Sequence, residues 1–357
     1  MTDEPTAPRA GDERSLSRRT LLAATAAMGA LAAAPRLAAA ERPPMARVIL
    51  DNDFSGDPDG LFQLAHHLLS PSVDVRLIVG SNVPTNMPWT RSKAPATEAR
   101  LKAIELLGVM GRGGSDTVLA GSEVAIASRS ALPSSPATAA IVAEAMRPDA
   151  AGQLVYASGA GLTELALAWL REPRIGKRVR LAWIGGGEHP GLAYPPPGPA
   201  EPEFNFSIDP LAAQIVFNES DIEIWQVPRN VYRQMLISFA ELRVLARTGP
   251  LGQYLKAQID RVMAEIGTIP LFANAPRSET YVLGDSPLVT LTALESFFQP
   301  DTTSSAFTIM PTPRIDAQGL YHDNPGGRPM RVYTAIDTRL TFGDMAAKFR
   351  EAGQPAS

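Results

Sequence analysis

Short β-type apolar runs alternate along this chain with segments whose apolar positions recur every three or four residues. The first run, residues 46–50, reads as a strand, and residues 61–69 repeat apolar positions at helical spacing. Residues 74–80 form a second strand pattern, and residues 97–107 a helix stopped by Gly108. A strand over 153–157 meets Ser158-Gly159-Ala160-Gly161, and a helix follows over 162–170. Residues 180–184 end in Gly185-Gly186-Gly187; residues 210–217 are helical and 222–227 extended. Later patterns predict helices over 236–247, 251–266 and 287–297. A Pro/Gly-rich loop then occupies 311–328, and a last strand 330–335. This alternation predicts an α/β fold, an open and mostly parallel sheet flanked by helices.

Between the first strand and first helix lies Asp51-Asn52-Asp53-Phe54-Ser55-Gly56-Asp57-Pro58-Asp59-Gly60. Four carboxylates crowd a strand-to-helix turn, where like charges repel and raise one another's pKa. Such a cluster is kept where a cation neutralises it or where proton transfer needs it; a solvated turn with helix-capping acids is the plain alternative. Oxygen-only ligands favour a hard cation, calcium or magnesium. Asp51 and Asp53 are two apart on an extended segment, so both are expected to face the same way.

Residues 1–40 are read as an export signal rather than part of the fold. Ser17-Arg18-Arg19-Thr20 enters an apolar, Ala-rich stretch, and Ala38-Ala39-Ala40 offers a cleavage site. The stretch is too short and too small-sided for a good membrane span; if the signal is cleaved no stable anchor remains, and the product is expected in the periplasm or secreted, by twin-arginine export. The absence of cysteine excludes disulfides and thiolate zinc sites. A net charge of −4 without a long basic run argues against a nucleic-acid polymer as partner. Residues 45–350 are expected to make one catalytic domain. A homo-oligomer is left open.

Further motifs follow in a recognisable order. They are Val79-Gly80-Ser81-Asn82, Thr117-Val118-Leu119-Ala120-Gly121-Ser122, Gly161-Leu162-Thr163-Glu164, Ile184-Gly185-Gly186-Gly187, Glu203-Phe204-Asn205 with Asp209-Pro210, and Gly284-Asp285-Ser286-Pro287. Together with the acidic turn, this series resembles the inosine/uridine-preferring nucleoside hydrolases, calcium-dependent N-ribohydrolases, over roughly residues 46–300.

The resemblance implies a small-molecule nucleoside or riboside as substrate and Ca2+ as cofactor. It implies Asp53 as general base and metal neighbour, with Asp59 and Asp285 as calcium ligands. Asp57 would bind a ribose hydroxyl or share the ligand role, and a carbonyl near Gly159 would complete the shell. Asn82, Glu203 and Asn205 would hydrogen-bond ribose or water. The chain departs from the family pattern in three places. Asp57-Pro58-Asp59-Gly60 stands where relatives carry adjacent acids, Gly284 replaces the His that helps protonate a departing base, and Tyr232-Arg233 stand where relatives often have Thr-His. His189 is the candidate to approach the site in place of that His. His66 and His67 are read as packing or surface residues, and His322-Asp323 sits in the tail loop. Rival readings are a hydrolase of another glycosidic bond and a ribose- or nucleoside-binding protein without catalysis.

Overall fold

The structure, a computed structural model, describes residues 43–84, 92–114, 117–148, 150, 153–270, 274–296 and 298–354. The expected export signal lies outside the described residues. In chain order the first half runs β1 (Ala46–Asn52), α1 (Asp59–Leu68), β2 (Val73–Gly80), α2 (Pro95–Val109), β3 (Val118–Ala120), α3 (Pro136–Ala145), β4 (Leu154–Gly159), α4 (Thr163–Arg171), β5 (Val179–Ile184), α5 (Phe204–Ile208), α6 (Pro210–Asn218) and β6 (Glu223–Val227). The second half adds α7 (Arg229–Tyr232), β7 (Leu236–Ser238), α8 (Phe239–Leu245), α9 (Pro250–Gly267), β8 (Thr280–Val282), α10 (Pro287–Ala293), β9 (Ala306–Pro311), β10 (Arg314–Ile315), β11 (Tyr321–His322), β12 (Pro329–Ala335) and α11 (Thr338–Ala352).

Eight strands form one sheet in the order β3-β2-β1-β4-β5-β6-β12-β9. Neighbours are parallel except the edge pair β12–β9. The expected open α/β sheet is therefore present. Strand order reverses between β1 and β4, where Asn52 stands in register with Gly159. Such a reversal leaves a crevice at the carboxyl ends of the strands, the usual ligand position in open α/β sheets.

Helices cover both faces, so the central strands are apolar on both sides. Val48 and Leu50 of β1 face one core layer with Phe62, Leu255 and Phe349, while Ile49 faces the other with Tyr156, Trp183 and Phe217. This is the two-residue alternation of a strand applied to two buried faces. Phe349 of α11 meets Phe62 of α1 with ring centroids 6.5 Å apart. Fully burying one such side chain contributes about 1.5–3 kcal/mol, which anchors the C-terminal helix.

The structure corrects several expectations. Residues 236–238 are strand β7, paired with β8, and the helix expected from 236 begins at Phe239. The reason is a capping box: Ser238 accepts from the Glu241 N–H, and Glu241 reaches back to the Ser238 N–H. The tail read as a loop contains the hairpin β10–β11. Strand β9 and helices α3 and α11 carry weak signals: β9 is a half-exposed edge, and α3 is half alanine. The helix expected over 287–297 ends at Ala293, and Phe297 lies outside the described residues. Among the described residues no helix is long and apolar enough to cross a membrane.

Candidate active site

At the crevice between β1 and β4 lies a cavity of about 370 Å3. Asp53, Asp57, Asp59, Gly159, Glu203, Asn205, Tyr232, Gly284 and Asp285 all line it, with Arg229 and Arg233. These residues come from five separate stretches of chain. Asn82, just past β2, is buried and is not among the lining residues.

Asp51 and Asp53 have different surroundings, contrary to the expectation that both face one way. The Ser81 hydroxyl and the Tyr156 phenol both donate to Asp51, and burial lifts its pKa to about 7 against the pull of those bonds. Strand β1 ends at Asn52, so alternation does not carry to Asp53, which turns to the cavity. Burial raises the Asp53 pKa well above the usual carboxylate range, and Asp285, Asp57 and Asp51 raise it further. Asp59 is raised in the same way, by burial and then by Asp285, Asp57 and Asp53. Asp57 sits exposed at the rim, where the Tyr281 phenol donates to it at 2.6 Å.

Asp285 is lifted to about 7 by burial, opposed by the Asn52 amide, whose Nδ2 donates to it at 2.8 Å. Its backbone N–H donates to Asp59 at 3.2 Å. Asn52 is thus a site residue that motif reading passed over, although it stands inside the acidic turn. Its Oδ1 is buried without a hydrogen-bond partner. Gly159 makes this approach possible: a Cβ there would lie 2.4 Å from Asn52 Nδ2 and 2.5 Å from Asp285 Oδ1.

On the opposite wall Glu203 caps α5. It accepts from the backbone N–H groups of Gly186, Asn205 and Phe206, and from the Tyr232 hydroxyl at 2.7 Å. Asn205 Nδ2 donates to the Ile184 carbonyl at 2.7 Å. The Tyr232 ring rests against Gly284, whose added Cβ would meet it at 3.2 Å. Arg229 makes a two-pronged pair with Glu188 at 3.0 and 2.7 Å. Arg229 and Tyr281 gave no signal in the sequence, because each acts on a residue remote from it along the chain or outside any motif.

No histidine lines the cavity among the described residues. His189, the expected substitute, is buried against Gln226 and stacked on Tyr321. His66 and His67 pack as expected, against Asp344 and against Gln63 and Thr292. His322 lies 2.7 Å from Asp316 rather than pairing with Asp323.

The donor chemistry of the wall fits a hard cation. It offers the carboxylates of Asp53, Asp57, Asp59, Glu203 and Asp285, with Gly159 at the strand end beside them and no sulfur, and none of the four aspartates forms an ion pair among the described residues. Among the described residues no group of three or more such side chains is already gathered closely enough to hold an ion.

A parallel sheet with buried acids at its switch point defines a class of α/β proteins, and the comparisons narrow the class to a family. The family model of inosine-uridine preferring nucleoside hydrolases matches residues 48–355, and the chain belongs to that family. It is 50% identical over 68 residues to the inosine-uridine preferring nucleoside hydrolase of Crithidia fasciculata, covering 19% of each chain. The Leishmania major enzyme of the same description is 52% identical over 61 residues, covering 17% of this chain and 18% of its own. The fold matches a purine-preferring ribonucleoside hydrolase from Gardnerella vaginalis at a TM-score of 0.64 and 19% identity, covering 87% of this chain and all of that one. A plant nucleoside hydrolase gives 0.62 at 19% identity, over 86% and 99%.

Proposed function

We propose that this chain hydrolyses the N-glycosidic bond of a ribonucleoside or a closely related ribosyl compound, releasing sugar and base. One observation carries the reading: Asp53, Asp59 and Asp285 crowd one cavity wall without a cationic partner among the described residues. Family membership and the names of the relatives support it.

Cleavage of this bond passes through an oxocarbenium-like sugar. Asp53 is the group to take a proton from the attacking water. Its acid neighbours increase its affinity for that proton. Asp59, Asp285 and the Gly159 carbonyl, with Asp53 and Asp57 beside them, would hold the cation, for which calcium is the ion proposed. When bound, calcium takes about six to eight oxygen ligands and so brings sugar hydroxyls and water together against the acids. Asn205 and Asp57 face the sugar, while Asn82, just past the end of β2, is buried and is not among the residues lining the cavity. Glu203, with four donors already on it, acts by holding α5 and Tyr232 in place. Because Tyr232 rather than an imidazole borders Gly284, substrates whose leaving group departs without protonation are favoured.

Replacing Asp53 with asparagine tests the reading. Turnover of inosine, uridine and a nitrophenyl riboside should fall by at least about a hundredfold, the usual worth of general-base catalysis, while riboside binding survives. Near-normal turnover by the variant would overturn Asp53 as base. Tight riboside binding by the wild type without release of any base would favour a binding protein instead.

Export by the twin-arginine route remains part of this proposal, resting on Ser17-Arg18-Arg19 and the Ala-rich stretch behind it. Substituting lysine for both Arg18 and Arg19 should strand the precursor in the cytoplasm; normal delivery would reject it.

A further inference from the structure

Glu203 and Arg229 do not line the acidic cavity alone. Both also line a second hollow of about 570 Å3. Small-molecule sites usually fall within about 300–1,000 Å3, so each hollow is large enough for a ring-sized group. The partition between them is built to stay in place. Glu188 and Arg229 satisfy each other through two hydrogen bonds, and the four donors on Glu203 fix its carboxylate.

With those charges paired, the surface left for a ligand is largely apolar. Pro190, Pro195 and Pro202 of the long loop before α5 form one side, and Leu320 and Tyr321 of the β10–β11 hairpin the other. Leu320 is 59% exposed. Tyr321, in contrast, is held rigidly. Gln226 Nε2 donates to its hydroxyl at 2.7 Å, and the buried His189 ring stacks on it at 4.0 Å between centroids and 5° between planes. His189 therefore has a task although it does not reach the acidic cavity: it props an aromatic wall. The hairpin is also seated on α5, the helix that carries Asn205. Gly319 has φ +81 and lies so close to Phe206 that a Cβ would come within 2.9 Å of its ring. Rigid aromatic surface beside a site is economical recognition, since little ordering is needed on binding.

We propose that this second hollow is a subsite for an apolar, ring-bearing group carried by the ribosyl substrate, which is then larger than a plain nucleoside sugar with a single small base. The proposal rests on the ribosyl-hydrolase reading above. The ring reaches the hollow either from the anomeric carbon, as the leaving group, or from the hydroxymethyl oxygen at the other end of the sugar.

The test is calorimetric titration of the Asp53→Asn protein in calcium with three probes. These are methyl riboside, phenyl riboside, and methyl riboside bearing a benzoyl ester on its hydroxymethyl oxygen. One ring-bearing probe should bind at least about tenfold more tightly than methyl riboside, the return expected from burying one ring. Which probe gains identifies the point of attachment. In the Asp53→Asn background, Leu320→Asp should remove most of that gain, and its effect on the ratio of affinities is read against an unchanged thermal transition. Equal affinities for all three probes, or a gain that survives Leu320→Asp, would overturn the subsite. Wild-type release of base from inosine and uridine is measured in parallel. A ring-dependent gain without any base release sinks the hydrolase reading and leaves the subsite standing; base release without the gain does the reverse.

Discussion

Two sets of buried acids lie near strand β4, and they are opposites. Glu164 and Asp209 belong to the helical layer over the sheet. Glu164 accepts from the Ser122 N–H and the hydroxyls of Ser135 and Thr138. Asp209 caps α6 through the Ala212 N–H and accepts from the Ile126 N–H and the Thr163 hydroxyl at 2.8 Å each. Across the sheet's carboxyl edge, Asp53, Asp59 and Asp285 face a cavity and one another. Burial raises Asp209 too, but every further influence on it is a hydrogen bond that opposes the rise. On Asp53 the larger further influences are other carboxylates, which add to it, and only one backbone hydrogen bond opposes them. Burial alone therefore does not mark a functional acid. The mark is charge crowding that the protein leaves uncompensated by its own donors.

The comparison breaks first if the helical-layer acids prove catalytic. Asp209→Ala should cost about 3 kcal/mol of stability, from a lost helix cap and a buried Ile126 N–H without an acceptor. Urea denaturation reads that loss, and kcat per folded molecule should stay near the wild-type value. A large fall in kcat at unchanged stability would erase the distinction between the two sets. The second expectation concerns the cavity. Calcium at about a hundred times its Kd should stabilise chelator-treated protein by about 2.7 kcal/mol, with the gain lost in Asp285→Asn. A thermal transition that ignores calcium would remove the metal from the account.

Much of this was legible because the acidic turn is local. Asp53, Asp57 and Asp59 announce themselves within one stretch, and the β-type run before them fixes their place at a strand end. The rest depends on contacts that sequence spacing does not encode. Asn52 reaches Asp285 across 233 residues, and Gly159, a strand stop by its pattern and a carbonyl ligand by the resemblance, does not announce that its missing Cβ admits both side chains. His189 looked available because a loop histidine near a glycine-rich strand end is free in the sequence; stacking on Tyr321, a residue of a supposed loop, removes it. Strand β7 was hidden for another reason. Leu236 and Ile237 fit a helical pattern as well as a strand, and only the Ser238–Glu241 capping box separates the two.

A smaller effect should appear in acid, from a third kind of buried group. His67 is enclosed by Gln63 and Thr292. Burial first, then the charges of His66 and Lys348, push it down to about 3, against a bond to Gln63 that works the other way. Between that value and the unfolded value of about 6.5, the unfolded chain holds more protons, so stability rises with pH and falls as acid is added. At pH 5 this group should cost about 2 kcal/mol relative to pH 7. The cavity acids titrate with the opposite sign, so the reading is the difference between wild type and His67→Gln along one pH series. Parallel curves for the two proteins would show that His67 is not held neutral.

The smallest effect gives the sharpest contrast between the two sets of acids. The Asp53 carboxylate accepts no hydrogen bond from another residue among the described residues, so Asp53→Asn removes a charge without stranding a donor. In chelator-treated protein the variant should be more stable than wild type, by about 1–2 kcal/mol, because the repulsion from Asp285, Asp57 and Asp51 is relieved. With calcium the order should reverse, since the variant offers the ion one charge fewer. An acid of the helical layer should show neither behaviour: Asp209→Ala ought to destabilise equally with and without the ion. Thermal melts of the two variants and wild type, each in chelator and in calcium, supply all the comparisons. If Asp53→Asn destabilises the chelator-treated protein as Asp209→Ala does, Asp53 is an architectural acid, and the proposed base must be sought elsewhere on the cavity wall.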